Sequence, residues 1–114
     1  MEVSKITYAF QTITGYLIVP QNEVLLFRFN EGYWQIMLTN RSLHTLRLHV
    51  TAKRLSEVSS SYIQIRQDYI LNVEYLVFIE HKSLQCLLRP PFEDIKLFVS
   101  RRFYVHLREI LDII

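Results

Sequence analysis

Arg66, Gln67 and Asp68 stand side by side between two apolar runs, Ile63-Gln64-Ile65 and Tyr69-Ile70-Leu71. A second pair of cations, Arg101 and Arg102, follows Phe98-Val99-Ser100 at the start of the last amphipathic stretch. An arginine fork can grip the O6 and N7 acceptors of guanine, or a phosphate, and a glutamine can pair with an adenine edge. Asp68 can orient Arg66 or accept hydrogen bonds from loop amides, which would be a purely structural role. Arg101 and Arg102 occupy a helix start, where cations oppose the macrodipole and local stability prefers acids. That conflict points to a partner; the structural alternative is that the arginine stems cover apolar surface while their heads stay in water.

No comparable group supports catalysis, so the expectation is that the chain is not an enzyme and has no catalytic residues. His44, His49, His81 and His106 are scattered without metal-ligand spacing, and the acids are equally dispersed, so no metal site is expected. Gly15 and Gly32 are the only glycines, too few for a phosphate-cradling loop. Cys86 is the single cysteine, which excludes an internal disulfide and a cysteine-based zinc site. Its neighbours Leu84, Leu87 and Leu88 mark it as a buried small hydrophobe. No cofactor is called for.

The chain has 114 residues, 50% hydrophobic and 21% charged, enough apolar content for one core. Thirteen basic against 11 acidic residues give a net charge of +2, short of a strongly basic nucleic-acid binder. Charge alone therefore does not select the partner. The start carries no signal-peptide pattern. The most apolar window, Val24 to Phe29, is far below the ~20 residues a bilayer requires. No membrane partner and a reducing, cytoplasmic location are expected.

The elements that must position the arginines are mostly strands, because the dominant period is two. Ile6, Tyr8 and Phe10 share one face, and Thr14 to Val19 forms a second run stopped by Pro20. Val24 to Phe29 reads as a strand covered on both sides, followed by a turn at Asn30-Glu31-Gly32. Tyr33 to Leu38 places Trp34, Ile36 and Leu38 on one side. Thr45 to Val50 alternates with Leu46, Leu48 and Val50 inward. Thr51 caps a short helix through about Val58, with Leu55 and Val58 as its apolar contacts, and Ser59-Ser60-Ser61 reads as a flexible polar end.

After the central loop, Asn72 suits a side-chain-to-backbone turn. Strands are then expected at Tyr75 to Glu80, Leu84 to Arg89 and Ile95 to Val99, with an extended connection at Pro90-Pro91. Ser100 caps a closing helix whose apolar stripe is Phe103, Leu107, Ile110 and Ile114. The expected product is one mainly β domain over residues 1–114, with a short central helix, a C-terminal helix, and residues 1–5 as an N-terminal extension. The Met1-Glu2 start favours a stand-alone protein over an excised module.

Tyr62-Ile63-Gln64-Ile65-Arg66-Gln67-Asp68-Tyr69-Ile70-Leu71-Asn72 resembles the central signature of LytTR-type DNA-binding domains, an aromatic, Arg-Ile, a short polar loop and Tyr-Ile-Val-Asn. Val99-Ser100-Arg101-Arg102 with Leu107 and Leu111 resembles the same family's closing helix, and Glu23 to Phe27 its early strand. Leu55 through Val58 is similar to its short Leu-rich helix. The resemblance implies a compact multi-stranded β fold whose loops enter successive major grooves, in bacterial transcription regulators acting on paired repeats. Carried over by position, base or phosphate contacts fall at Trp34, Gln67 and Arg102, with Arg66 and Arg101 as neighbouring contacts. The chain departs from the family at Asp68, where a small serine is usual, and at Trp34, which is bulkier than the usual polar residue.

The resulting expectation is sequence-specific binding to double-stranded DNA, with a homodimer on paired DNA repeats open as its assembly and no small-molecule substrate. The rival reading is a protein–protein interaction module on the same fold that has lost DNA, favoured by the low net charge and Asp68. The discriminating observation is whether Arg66, Arg101 and Arg102 share one face with Lys53 or Lys96.

Overall fold

The computed structural model describes residues 6–114; the expected extension, residues 1–5, lies outside the described residues. Among the described residues ten strands and two α-helices succeed one another: β1 (Thr7–Gln11), β2 (Tyr16–Pro20), β3 (Val24–Asn30), β4 (Tyr33–Leu38), β5 (Leu43–Thr45), α1 (Ala52–Val58), β6 (Tyr62–Arg66), β7 (Tyr69–Asn72), β8 (Leu76–Ile79), β9 (Gln85–Leu88), β10 (Leu97–Phe98) and α2 (Arg101–Ile110). They form a central antiparallel sheet in the order β5-β4-β3-β7-β6, a β1–β2 ribbon, and a small sheet β10-β9-β8. The mainly β expectation with two helices therefore holds.

The central sheet is covered on both faces, which explains the near-continuous apolar run in β3. Val24 and Phe27 join Phe10, Val19, Trp34, Ile36, Leu46, Leu55 and Ile70 in one core cluster, under the β1–β2 ribbon and α1. Leu25 and Leu26 join Ile63, Ile65, Leu71, Cys86, Leu97, Val99 and Leu107 in the other, under the small sheet and α2. Two adjacent leucines can enter one core because the β3–β4 register shifts between Val24 and Leu26, a bulge that turns Leu25 to the same side. Cys86 is fully buried, and that burial pushes its thiol up to about 11.

Local signals placed the turns and caps correctly. Gly32 takes φ +85 in the β3–β4 hairpin, Thr51 Oγ1 accepts from Arg54 N–H, and Ser100 Oγ accepts from Phe103 N–H. Asn72 is buried, with its Oδ1 accepting from Glu74 N–H and its Nδ2 donating to the Val24 carbonyl at 2.8 Å. Its amide thus satisfies a carbonyl beside the β3 bulge.

Several longer-range expectations are corrected. The strand expected over Thr45 to Val50 ends at Thr45. Leu46 bridges Thr12, Arg47 N–H donates to Gln11, and His49 at φ 71 swings the chain toward α1, leaving Leu48 exposed. The Ser59-Ser60-Ser61 stretch is a bonded corner, with Ser59 buried and its Oγ accepting from Ser61 N–H. Pro90-Pro91 is a turn, closed by Phe92 N–H on the Arg89 carbonyl. In α2 the inward stripe is Phe103, Tyr104, Leu107 and Leu111, whereas Ile110 and Ile114 are exposed, because the small sheet covers a face rotated from the expected one.

Candidate nucleic-acid interface

The β6–β7 hairpin turns through Gln67 and Asp68, and three contacts hold that turn from outside its own ladder. Phe29 N–H of β3 donates to the Asp68 carbonyl at 2.8 Å, and Gln64 Nε2 donates to the Gln67 carbonyl at 3.3 Å. The β6–β7 register shifts between Gln64 and Arg66, so Ile65 is bulged. Its carbonyl accepts the N–H of Ser100 at 2.9 Å. A bulge re-aims the side chain beside it and frees a carbonyl from the ladder. Here the freed carbonyl fastens the start of α2 to the base of the hairpin tip.

The consequence is one open hollow of about 930 Å³, whose wall includes Trp34, Gln64, Arg66, Gln67, Asp68 and Arg102. Ala52, the first residue of α1, also borders it, and Lys53 next to it is exposed. The mid-chain arginine loop and the start of the last helix, 35 residues apart along the chain, thus face a common space. Lys96 is elsewhere, on a smaller hollow with Arg28 and Arg41.

Each expected site residue has a distinct setting. Arg66 Nε pairs with Asp68 Oδ1 at 3.2 Å, with both side chains a little under half exposed. Gln67 is exposed, and its side-chain amide has no partner among the described residues. Arg102 is exposed and its guanidinium carbon lies 5.3 Å from the Phe103 ring centroid, a cation–π contact that steadies the stem. Arg101 is exposed but does not border the hollow. Trp34 is only 5% exposed and packs edge-to-face on Phe29 at 5.5 Å. It forms floor and wall instead of a reaching side chain, as its alternation with Ile36 and Leu38 required.

Sequence reading missed Gln64, Ser100 and Phe103 as parts of this site. Ser100 was legible as a cap, but its backbone link to Ile65 depends on a bulge. Gln64 sits in an Ile-Gln-Ile alternation that gives no hint of a prop for the turn. The described residues hold no cluster of three potential metal ligands, and no helix among them is long and apolar enough to cross a membrane.

Comparison with known proteins adds an independent line. A family model described as the LytTr DNA-binding domain matches residues 14–112. No curated protein matches the chain. Among the solved structures that match is the LytTr DNA-binding domain of a Bacillus cereus protein described as a methyl-accepting/DNA response regulator. It has a TM-score of 0.70 at 18% identity, covering 96% of this chain and 100% of that one. At that identity the likeness speaks for the fold alone.

Proposed function

The chain belongs to the LytTr DNA-binding domain family, and we propose that it binds double-stranded DNA sequence-specifically as a bacterial transcriptional regulator. The β6–β7 turn and the start of α2 enter successive major grooves. Arg66, Gln67 and Arg102 read base edges, while Arg101 and Lys53 contact flanking phosphates. Trp34 supports the floor between them. Phosphate contacts set the register, and the few base-directed side chains carry the sequence information. Residues 1–114 act as a single domain with 1–5 as an extension, in the cytoplasm, and two copies occupy paired DNA repeats as a homodimer. No covalent step, cofactor or small-molecule substrate enters this reading.

The observation that carries it is the shared hollow, which gathers Arg66, Gln67 and Arg102 from separate segments. Exposed forks on a rigid, bonded turn suit groove insertion, because little freedom is lost on contact. Selection of bound fragments from a random duplex pool tests specificity directly. An enriched sequence is expected, with affinity falling as salt rises by about −0.9 log units per log unit for each phosphate neutralised. No enrichment, together with an isotherm indifferent to ionic strength, would replace this reading with the adaptor.

A further inference from the structure

We infer that Asp68 is a positioning residue that presents Arg66 to a guanine, so that the hairpin turn selects a G·C pair at one position of the DNA site; this rests on the DNA-binding reading above. The closest approach of the ion pair is that of Arg66 Nε to Asp68 Oδ1, at 3.2 Å. Among the described residues neither terminal nitrogen of Arg66 has a hydrogen-bond partner, which leaves Nη1 and Nη2 as an open two-pronged donor edge. Guanine offers two acceptors side by side in the major groove, O6 and N7, and a guanidinium can meet both in one plane.

A lone arginine on a turn samples many orientations and loses them on binding. A carboxylate beside Nε restricts the guanidinium by charge attraction and leaves the fork that reads without a hydrogen-bonded partner. Asp68 can do this because its own carbonyl is bonded to Phe29 N–H at 2.8 Å, so the turn does not drift with the side chains. Folding stability does not explain the pair, since ion pairs this exposed add little to it. Nor does Asp68 simply repel the duplex: its charge is compensated by Arg66, and the net positive charge of the rim comes from Arg102 and nearby Lys53.

The test compares the wild-type chain with Arg66→Ala, Asp68→Ala and Asp68→Asn. Each variant is subjected to duplex selection, then to anisotropy titration on the selected site and on a copy with one G·C pair changed to A·T. Wild type is expected to require a guanine that Arg66→Ala no longer requires. Asp68→Ala should lose about tenfold in discrimination at that same position, the scale of one bidentate contact. Other positions, the salt slope and the melting temperature should stay unchanged. Asp68→Asn keeps one acceptor oxygen and should fall between the two.

Tighter binding of Asp68→Ala to every duplex, with a steeper salt slope, would make the acid a mere repulsive charge and overturn the inference. Retained guanine preference in Asp68→Ala would overturn it too, as would unfolding of both Asp68 variants, which would assign the residue to the fold. If wild type selects a site whose profile ignores Arg66, the inference falls and DNA binding stands. If wild type selects nothing, both fall.

Discussion

Arg41 and Arg66 each meet an aspartate at the surface, and each arginine side chain is 45% exposed, yet the two pairs leave opposite groups free. Arg41 spends its whole fork: Nη1 donates to Asp94 Oδ2 at 2.8 Å, and Nη2 to Asp94 Oδ1 at 2.6 Å and to the Pro91 carbonyl at 3.0 Å. Its guanidinium also lies over the Phe92 ring at 5.5 Å. Arg66 comes closest to Asp68 through Nε, at 3.2 Å, and among the described residues no hydrogen bond occupies its fork. Charge, residue types and exposure are nearly the same, so none of them identifies the arginine able to bind a partner. What separates the two is which nitrogens the neighbour consumes. Arg41 closes a corner between the β4–β5 turn and the segment before β10, and Arg66 is left with a reading edge.

Three substitutions sharpen or break that contrast, and the largest effect is expected from a polar residue that faces inward. Asn72→Ala removes a buried amide and strands the Val24 carbonyl and Glu74 N–H. With ~1–3 kcal/mol for the buried carbonyl left unpaired and about 1 kcal/mol for the lost cap on Glu74 N–H, stability should fall by about 2–4 kcal/mol in chemical denaturation. A fall below that range would mean that water reaches the bulge and that Asn72 belongs with the surface pairs.

Arg102→Ala is next. If Arg102 reads a base across the hollow from Arg66, DNA binding weakens by ~1–3 kcal/mol while melting is unchanged. Equal gel-shift affinity for the variant would remove Arg102 from the interface and leave the hairpin to act alone.

The smallest effect is expected at Arg41. Arg41→Ala should lower the melting temperature slightly and leave DNA affinity and base preference untouched, the reverse of the pattern for Arg66→Ala. Loss of affinity with unchanged melting would cancel the distinction between the two pairs. Acid provides a second handle, because the hydrogen bond from Arg41 holds the Asp94 carboxyl below the usual aspartate range. A depressed folded-state value means that the pair's contribution is complete above the unfolded value of about 3.9 and disappears as pH falls below it. The melting difference between wild type and Arg41→Ala should therefore shrink on going from neutral pH to below that value.

Much of the frame was legible in the residues themselves. Thr51 and Ser100 cap their helices, Gly32 takes the positive φ of its turn, and Asn72 closes its own backbone two residues on. Trp34, Ile36 and Leu38 face inward as their alternation requires. Failures began where a second layer intervened. Thr45 to Val50 alternates well enough for a strand, but the pull of Thr12 and Gln11 on Leu46 and Arg47 takes the chain out of the sheet. Phe103, Leu107, Ile110 and Ile114 have helical spacing, yet Tyr104 and Leu111 take the inward places beside Phe103 and Leu107.

The sequence by itself determined the strand periods, the caps, the hairpin turns and the family, because each is written in residues that lie within a few positions of one another. Tertiary structure alone decided which cations are available. The Arg41–Asp94 partners are 53 positions apart, and the Ile65 bulge that joins the hairpin tip to α2 is a register shift without a residue signature. Local hydrogen bonds and side-chain alternation follow from adjacent residues, whereas ion-pair choice and ladder irregularities follow from how distant segments pack.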